Sequence, residues 1–180
     1  PLQHITGVAY FRQLELAVGK GVFIPRPETE FVAQLAIDAI HRAFAAGTSS
    51  PIAVDLGTGS GAIALAIATE NPAAQIFAVE KSPDAYPFTQ ANFDKYAQQG
   101  NATLIQGDLA DAFEELNGTV SVVASNPPYI PLAMIPRDEE VRLHDPDLAL
   151  YGGEDGMSVI HLVSATAKRL LVDGGELIIE

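Results

Sequence analysis

The chain has no cysteine, few basic residues and no long apolar run. Without cysteine it can form neither a disulfide framework nor a thiolate metal site. The four histidines lack metal-ligand spacing such as H-E-x-x-H, so we expect no bound metal. No apolar stretch approaches the roughly 18 residues that span a bilayer, and no signal-peptide pattern opens the sequence. These absences favour a cytoplasmic protein without a membrane partner.

Basic residues number 10 against 23 acidic ones, which gives a net charge of −13. A chain this acidic repels a phosphate backbone unless its few cations cluster, and here they do not. We therefore expect no direct binding to nucleic acid. Hydrophobic residues make up 48% and charged residues 18% of the 180 residues, a balance typical of a globular domain with a real core.

Strand-like and helix-like segments alternate along most of the chain. Predicted strands cover residues 52–56, 75–80, 102–106, 120–124 and 176–179, and predicted helices cover 62–69, 83–98 and 157–171. This alternation predicts an α/β fold whose sheet is mostly parallel, with helices on both faces.

Two short extended segments, 8–12 and 14–18, precede that series and predict an N-terminal β-hairpin. A helix is predicted over 28–46, because Pro27 suits its first turn and Glu28 favours the positive end of its dipole. Its expected apolar stripe consists of Phe31, Leu35, Ala39 and Phe44.

A glycine-rich loop, residues 57–61, joins the first strand of the series, which contains Asp55, to its helix. Glycines permit a tight turn and let a ligand approach bare backbone, while the helix N-terminus supplies free N–H donors. Gly57, Gly59 and Ala62 fit the dinucleotide pattern G-x-G-x-x-G/A, whereas Gly57, Gly59 and Gly61 fit the G-x-G-x-G of S-adenosylmethionine enzymes. A tight turn without a ligand is the third possibility.

Acidic residues end the next two strands. Glu80 can accept hydrogen bonds from both hydroxyls of a ribose, which suits either cofactor. Asp108 follows Gly107 and could accept from an adenine amino group. Either residue could instead be a solvated carboxylate, since aspartate is common in turns.

The tetrapeptide Asn126-Pro127-Pro128-Tyr129 follows an apolar run that predicts a buried strand. Neither proline has an N–H, and both have φ fixed near −65°. The loop therefore offers unused carbonyl oxygens beside an asparagine amide and an aromatic ring, which suits a planar NH₂ group. Hydride transfer has no use for such acceptors, whereas methyl transfer to nitrogen does. A plain proline turn is the alternative.

These motifs resemble those of the HemK/PrmC-type protein-(glutamine-N5) methyltransferases. The resemblance covers nearly all 180 residues. It is carried by Pro1-Leu2-Gln3, Ile5-Thr6-Gly7, Ile24-Pro25-Arg26-Pro27-Glu28-Thr29-Glu30, residues 55–62, residues 125–131, Leu148-Ala149-Leu150, Gly152-Gly153 and Asp155-Gly156. The Asn-Pro-Pro-Tyr motif is shared with amino methyltransferases of DNA and RNA, so it indicates a reaction type. The Arg-Pro-Glu-Thr-Glu segment makes the family match specific.

The resemblance implies a Rossmann-like class I methyltransferase fold. It also implies transfer of a methyl group from S-adenosylmethionine to the glutamine side-chain nitrogen of the Gly-Gly-Gln loop in peptide-chain release factors, with S-adenosylhomocysteine as product. The expected cofactor residues are Asp55, Gly57, Thr58, Gly59, Gly61, Glu80, Asp108, Asn126, Thr29 and Glu30. The expected catalytic residues are Asn126, Pro127 and Tyr129, and the expected substrate-binding residues are Asn126, Pro127, Pro128 and Tyr129.

The sequence departs from the pattern of that family at two positions. Glu80 stands where many members carry aspartate, a change that preserves ribose binding, and His4 stands where tyrosine is common. We expect a hairpin lead-in over residues 1–24 and an S-adenosylmethionine-binding domain over residues 25–180. The chain is expected to be a fragment that lacks the family's N-terminal helical domain and the final strands of its sheet.

Three other functions remain open from the sequence. The nearest is an amino methyltransferase of nucleic acid, of the N6-adenine or N2-guanine type, against which the acidity of the chain counts. A non-catalytic cofactor-binding module and an NAD-dependent oxidoreductase are the others.

Overall fold

Five parallel strands form the central sheet of the computed structural model, which describes residues 1–136 and 138–180. The strands are β3 (Ile52–Leu56), β4 (Gln75–Glu80), β5 (Ala102–Gln106), β6 (Val120–Ser125) and β7 (Leu171–Ile179). Their order across the sheet is β5-β4-β3-β6-β7. All four pairings are parallel, as short, almost wholly apolar strands predict.

Helices cover both faces of this sheet, as predicted. They are α1 (Leu2–Thr6), α2 (Thr29–Ala45), α3 (Ala62–Glu70), α4 (Tyr86–Tyr96), α5 (Glu139–His144), α6 (Asp147–Leu150) and α7 (Ser158–Leu170). Residues of α2, α3 and α4 pack in one apolar core, and residues of α7 pack in a second core on the opposite face. Within the described residues, no helix is both long enough and apolar enough to cross a bilayer.

The predicted hairpin is present as β1 (Val8–Phe11) and β2 (Leu14–Ala17), which pair antiparallel in a separate sheet. The backbone N–H of Ala17 donates to the side-chain oxygen of Asn92 in α4 at 2.7 Å. The Asn92 side-chain nitrogen donates in turn to the Ala17 carbonyl at 3.0 Å. The hairpin is therefore fastened to the domain that contains the large sheet.

The prediction of an apolar stripe on α2 was wrong in part. Phe31 is 67% exposed and Leu35 is 37% exposed, whereas Ala36 and Ile40 are fully buried. The helix packs on α3, whose buried face includes several alanines. Small residues allow two helices to approach closely, so the buried stripe follows the alanines instead of the largest side chains.

The sheet order places a topological switch point between β3 and β6. From β3 the chain continues to β4 and β5 on one side, and it then returns to add β6 and β7 on the other. Loops that leave two neighbouring strands in opposite directions open a crevice at the carboxyl ends of the strands, where α/β folds bind ligands. The glycine loop and the Asn-Pro-Pro-Tyr loop leave these two strands.

Candidate active site

A cavity of about 350 Å³ lies at the carboxyl ends of the central strands. Its walls include most of the predicted site residues, namely Thr29, Asp55, Gly57, Thr58, Gly59, Glu80, Asp108, Asn126, Pro127, Pro128 and Tyr129. These residues come from five separate parts of the chain, and the fold brings them to one place. The size is within the range of small-molecule sites.

Asp55 is the most buried acidic group of the cavity, at 1% exposure. Its Oδ2 accepts a hydrogen bond from the Thr58 hydroxyl at 2.5 Å and another from the Ala64 backbone N–H at 3.2 Å. Its Oδ1 is buried and has no hydrogen-bond partner among the described residues. Burial raises the pKa of this carboxyl to about 6. Asp55 thus holds the glycine loop with one oxygen and leaves the other for a donor in the cavity.

Glu80 bridges the glycine loop and the turn after β4. Its Oε2 accepts from the Gly59 backbone N–H at 2.8 Å, and its Oε1 accepts from the Ser82 backbone N–H at 2.7 Å. Burial raises the pKa of Glu80, and these backbone donors oppose the rise. Each carboxylate oxygen has a second lone pair, so this arrangement positions the group without using all of its acceptors.

Asp108 lies at the outer wall of the cavity and is paired with a lysine. Its Oδ2 is 2.8 Å from the Lys81 ammonium, and both side chains are well exposed. Its Oδ1 accepts from the Ala110 backbone N–H at 3.0 Å. The hydrogen bond from Lys81 lowers the pKa of Asp108, so this carboxylate is ionised at neutral pH.

The Asn-Pro-Pro-Tyr loop begins where the buried hydroxyl of Ser125 donates to the Leu56 carbonyl at 2.6 Å. The Asn126 side-chain nitrogen donates to the Thr29 hydroxyl oxygen at 3.3 Å. Within the part of the chain that the structure describes, no hydrogen bond reaches Asn126 Oδ1 or the Pro127 carbonyl. Two acceptors at the switch point are therefore not used by the described residues.

Glycines of the segment 150–156 support this loop from behind. Ile130 forms a bridge with Tyr151, and the Gly152 N–H donates to the Ile130 carbonyl at 2.9 Å. A Cβ at Gly152 would lie 2.5 Å from the Pro128 carbonyl oxygen, which is closer than real contacts allow. Gly152 is therefore required for the backbone of this segment to lie against the loop.

An ion pair fastens the segment 138–150 to the stretch before α2. The Arg26 guanidinium is 2.6 Å from Asp145 Oδ2, and the Asp145 side chain is almost fully buried. Arg26 also lies over the Phe23 ring, with 4.8 Å between the guanidinium carbon and the ring centroid. Burial raises the pKa of Asp145 although the charge of Arg26 opposes it. All three residues line the cavity.

Two predicted cofactor residues are not brought into the cavity wall. Glu30 faces the hairpin, where its Oε1 accepts from the Arg12 backbone N–H at 2.9 Å. Gly61 has φ of +86°, and a Cβ there would lie 3.0 Å from the Phe93 ring. Gly61 therefore serves the turn and its packing on α4, because the loop bends toward the core at that point.

The sequence interpretation missed part of the wall. The missed lining residues include Phe23, Leu109, Val141, Leu148, Leu150, Val159, Leu162 and Glu180. The resemblance segment Leu148-Ala149-Leu150 was the one signal that pointed to this side of the cavity.

Comparison with known proteins gives a family match. The sequence matches the family described as methyltransferase small domain over residues 19–133. One curated relative, from Streptomyces coelicolor, is named release factor glutamine methyltransferase. It is 52% identical over 184 residues, which cover 100% of this chain and 62% of the relative.

A second curated relative, from Streptomyces pristinaespiralis, is named 4-amino-L-phenylalanine/4-methylamino-L-phenylalanine methyltransferase. It is 41% identical over 180 residues, which cover 100% of this chain and 60% of the relative. The chain therefore spans about three-fifths of the length of these two relatives.

Among solved structures, precorrin-6y C5,15-methyltransferase from Geobacter metallireducens is similar, with a TM-score of 0.57 and 16% identity. The match covers 91% of this chain and 67% of that one. At this identity the likeness concerns the fold, and it confirms the predicted Rossmann-like sheet of class I methyltransferases.

Proposed function

The chain belongs to the methyltransferase small domain family, and from that premise we propose that it transfers a methyl group from S-adenosylmethionine to the glutamine side-chain nitrogen of peptide-chain release factors. Identity of 52% to a release factor glutamine methyltransferase supports this substrate. Because the chain spans only part of that relative, the activity and the partner are assigned to the protein that contains this chain. Its place of action would be the cytoplasm, where release factors work.

The observation that carries the proposal is the pair of free acceptors at the switch point. Asn126 Oδ1 and the Pro127 carbonyl accept no hydrogen bond from the described residues. An amide NH₂ group has two hydrogens, and two acceptors in a stiff loop hold both. Tyr129, which is 54% exposed, is available to pack against the amide plane, and Pro128 keeps the loop rigid.

The cavity also fits the proposed cofactor. The unpartnered buried oxygen of Asp55 is suited to a cationic donor such as the ammonium of the methionyl part. Glu80 would hold the ribose hydroxyls, and Asp108 would accept from the adenine edge. Thr29, Thr58, Gly57 and Gly59 would border the methionyl part. When bound, S-adenosylmethionine supplies a methyl group on a positively charged sulfur. A nitrogen lone pair can attack the methyl carbon and displace the sulfur.

The task of the protein residues follows from the chemistry of amides. An amide nitrogen is a poor nucleophile because its lone pair is delocalised into the carbonyl. Hydrogen bonds from both amide hydrogens to Asn126 Oδ1 and the Pro127 carbonyl would favour a pyramidal nitrogen and orient its lone pair into the cavity. Both acceptors would also stabilise the partial positive charge that nitrogen gains in the transition state.

A second candidate comes from the relative that methylates an aromatic amine. It is 41% identical over the whole chain. This similarity supports a free amino acid with an arylamine group as an alternative substrate. The same two acceptors would hold an arylamine NH₂.

Incubation of the purified full protein with radiolabelled S-adenosylmethionine separates these substrates. We offer a release factor, 4-amino-L-phenylalanine, and DNA and RNA oligonucleotides in parallel. Label on the release factor alone supports the proposal. Label on the amino acid or on an oligonucleotide, with none on the release factor, would replace it with one of the alternatives.

A further inference from the structure

Two buried side-chain oxygens lack a hydrogen-bond partner within residues 1–136 and 138–180, and both belong to carboxylates. They are Asp55 Oδ1 and Glu180 Oε2. Both residues line the same cavity. A buried carboxylate oxygen without a donor is costly, unless a ligand supplies a hydrogen bond or a positive charge. Asp55 has a place in the proposed cofactor site, whereas Glu180 has none.

Glu180 and Asn126 follow the last paired residues of the neighbouring strands β7 and β6. The Glu180 backbone N–H donates to the Ser125 carbonyl at 3.1 Å, and Ser125 pairs with Ile179 in the parallel ladder of β6 and β7. The next residue on each strand is Asn126 on one side and Glu180 on the other. Neighbouring strands lie about 4.8 Å apart, so the two residues are close enough to act on one bound group.

Both residues line the cavity. Ala124 and Ile178 pack in the apolar core that contains α2. Side chains alternate between faces along a strand, so a continuation of this alternation one residue past each strand end favours that same face for Asn126 and Glu180. Thr29, at the start of α2, contacts Asn126 there.

The charge of Glu180 is not neutralised by a basic side chain in the described part of the protein. None of the salt bridges there involves Glu180. Arg26, a basic residue of the cavity wall, is paired with Asp145 instead. A carboxylate in such a place favours a cation or a developing positive charge close to it.

We propose that the Glu180 carboxylate faces the substrate nitrogen and offsets the positive charge that this nitrogen gains during methylation. The inference rests on the proposed function. The nitrogen lone pair forms the bond to the methyl carbon while the carbon–sulfur bond breaks and its electron pair stays on sulfur. The nitrogen is then cationic and strongly acidic, and one of its two hydrogens leaves as a proton to solvent when the product leaves the two acceptors. The product amide is neutral.

Glu180→Gln in the full protein tests the charge with little change of shape. We expect kcat for release factor methylation to fall on the order of 10²-fold, with little change in KM and in the dissociation constant of S-adenosylmethionine. Glu180→Asp should keep more activity than Glu180→Gln. The matched control is Glu176→Gln on the same strand, whose exposed carboxylate pairs with Arg42 and whose loss should leave kcat unchanged.

Two results of that experiment would overturn the inference. The first is a wild-type kcat in Glu180→Gln. The second is a weakened affinity for S-adenosylmethionine with kcat unchanged, which would make Glu180 a cofactor ligand. If the wild-type protein itself does not methylate the release factor, the proposed function fails, and that failure is distinguishable from both results.

A binding measurement without turnover tests the same charge. Ornithine has its ammonium at the position of the glutamine side-chain nitrogen, so a semisynthetic release factor with ornithine at the loop glutamine mimics the charged nitrogen. By calorimetry with S-adenosylhomocysteine present, we expect the wild-type protein to bind the ornithine factor about tenfold more tightly than the glutamine factor. Glu180→Gln should lose this preference. An absent preference in the wild-type protein, or an equal one in Glu180→Gln, would contradict the inference.

Discussion

The hydroxyl oxygen of Thr29 accepts a hydrogen bond from the side-chain nitrogen of Asn126 at 3.3 Å, although the two residues are 97 positions apart in the sequence. Thr29 is 4% exposed, at the first turn of α2. The contact takes up the NH₂ side of the Asn126 carboxamide and leaves its oxygen as an acceptor. The start of α2 thereby determines how the Asn-Pro-Pro-Tyr loop meets a substrate.

Asn126→Ala should separate catalysis from cofactor binding. We expect turnover to fall by on the order of 10²-fold or more, because one of the two acceptors of the amide is removed. The dissociation constant of S-adenosylmethionine should stay nearly the same. Single-turnover kinetics and calorimetry measure the two quantities, and Asn117→Ala, at an exposed position away from the cavity, is the control. Unchanged turnover would remove Asn126 from the mechanism.

Thr29→Val tests the orientation of the Asn126 carboxamide. Valine has nearly the same shape as threonine but accepts no hydrogen bond, so the carboxamide should lose its fixed orientation. We expect kcat to fall roughly tenfold, the equivalent of one hydrogen bond. Thr29→Ser keeps the hydroxyl and should retain most of the activity. Equal kcat for the valine and serine variants would show that the hydroxyl does not orient Asn126.

Glu80→Ala should weaken cofactor binding. The substitution removes the expected acceptor for the ribose hydroxyls and the acceptor for the Gly59 N–H. Charge-assisted hydrogen bonds are worth about 1.5 to 3 kcal/mol, so the dissociation constant should rise roughly tenfold to a hundredfold. Calorimetry measures it, with the exposed Glu115→Ala as control. An unaltered constant would refute the role of Glu80.

Gly152→Ala should damage catalysis more than stability. The new Cβ would lie 2.5 Å from the Pro128 carbonyl oxygen and 2.4 Å from the Gly156 carbonyl oxygen, so the Asn-Pro-Pro-Tyr loop must shift. Gly47→Ala is the matched control, because Gly47 also carries a constraint, φ of +98°, but lies in open space. Both variants should unfold at lower denaturant concentration. Only Gly152→Ala should lose turnover. Equal turnover in Gly152→Ala and Gly47→Ala would show that the segment 150–156 does not position the Asn-Pro-Pro-Tyr loop.

The raised pKa of Asp55 predicts how the stability of the protein depends on pH. The pKa of this buried carboxyl is raised from 3.8 to about 6 in the folded protein. Between these values the folded state holds a proton that the unfolded chain has released, so this group lowers the free energy of unfolding as pH rises. The loss is on the order of 3 kcal/mol and is complete above the folded pKa.

Comparison of Asp55→Asn with the wild type isolates that contribution, since asparagine does not titrate. Urea denaturation measures the free energy of unfolding of both proteins. Relative to Asp55→Asn, the wild type should lose stability from about pH 4 to pH 6, and the difference should stay constant above pH 6. A difference that does not vary over this interval would show that burial does not raise the pKa of Asp55.

Four of the five strands were predicted within one residue, because buried parallel strands are short apolar runs that end at polar or glycine residues. The fifth, predicted over 176–179, begins at Leu171 instead, because its Asp173-Gly174-Gly175 stretch has no apolar strand pattern. Asp55, Glu80 and Asn126 each stand at or just after such an end, so the sheet alone was enough to bring them together. The helix over residues 28–46 was also predicted within one residue at each end.

The short helices α5 and α6 were missed because they have six and four residues. A helix of this length has little stability of its own and depends on tertiary contacts. The contact here is the ion pair of Asp145 with Arg26, which are 119 positions apart. No local pattern encodes such a pairing.

The direction of a side chain within a correctly predicted segment was the other source of error. Thr29 and Glu30 are neighbours, yet one faces the cavity and the other faces the hairpin. Gly59 likewise lines the cavity, whereas Gly61 lies against the Phe93 ring. Which of two adjacent residues faces a site depends on how the helix or loop is rotated against the sheet, and packing fixes this rotation.

The most direct test is a crystal structure of the full protein with S-adenosylhomocysteine and a release factor. Our account predicts that the glutamine side-chain nitrogen lies within hydrogen-bond distance of both Asn126 Oδ1 and the Pro127 carbonyl, with the sulfur of the cofactor product on the far side of that nitrogen. A glutamine bound outside the Asn-Pro-Pro-Tyr loop, or a nitrogen that contacts neither oxygen, would contradict it.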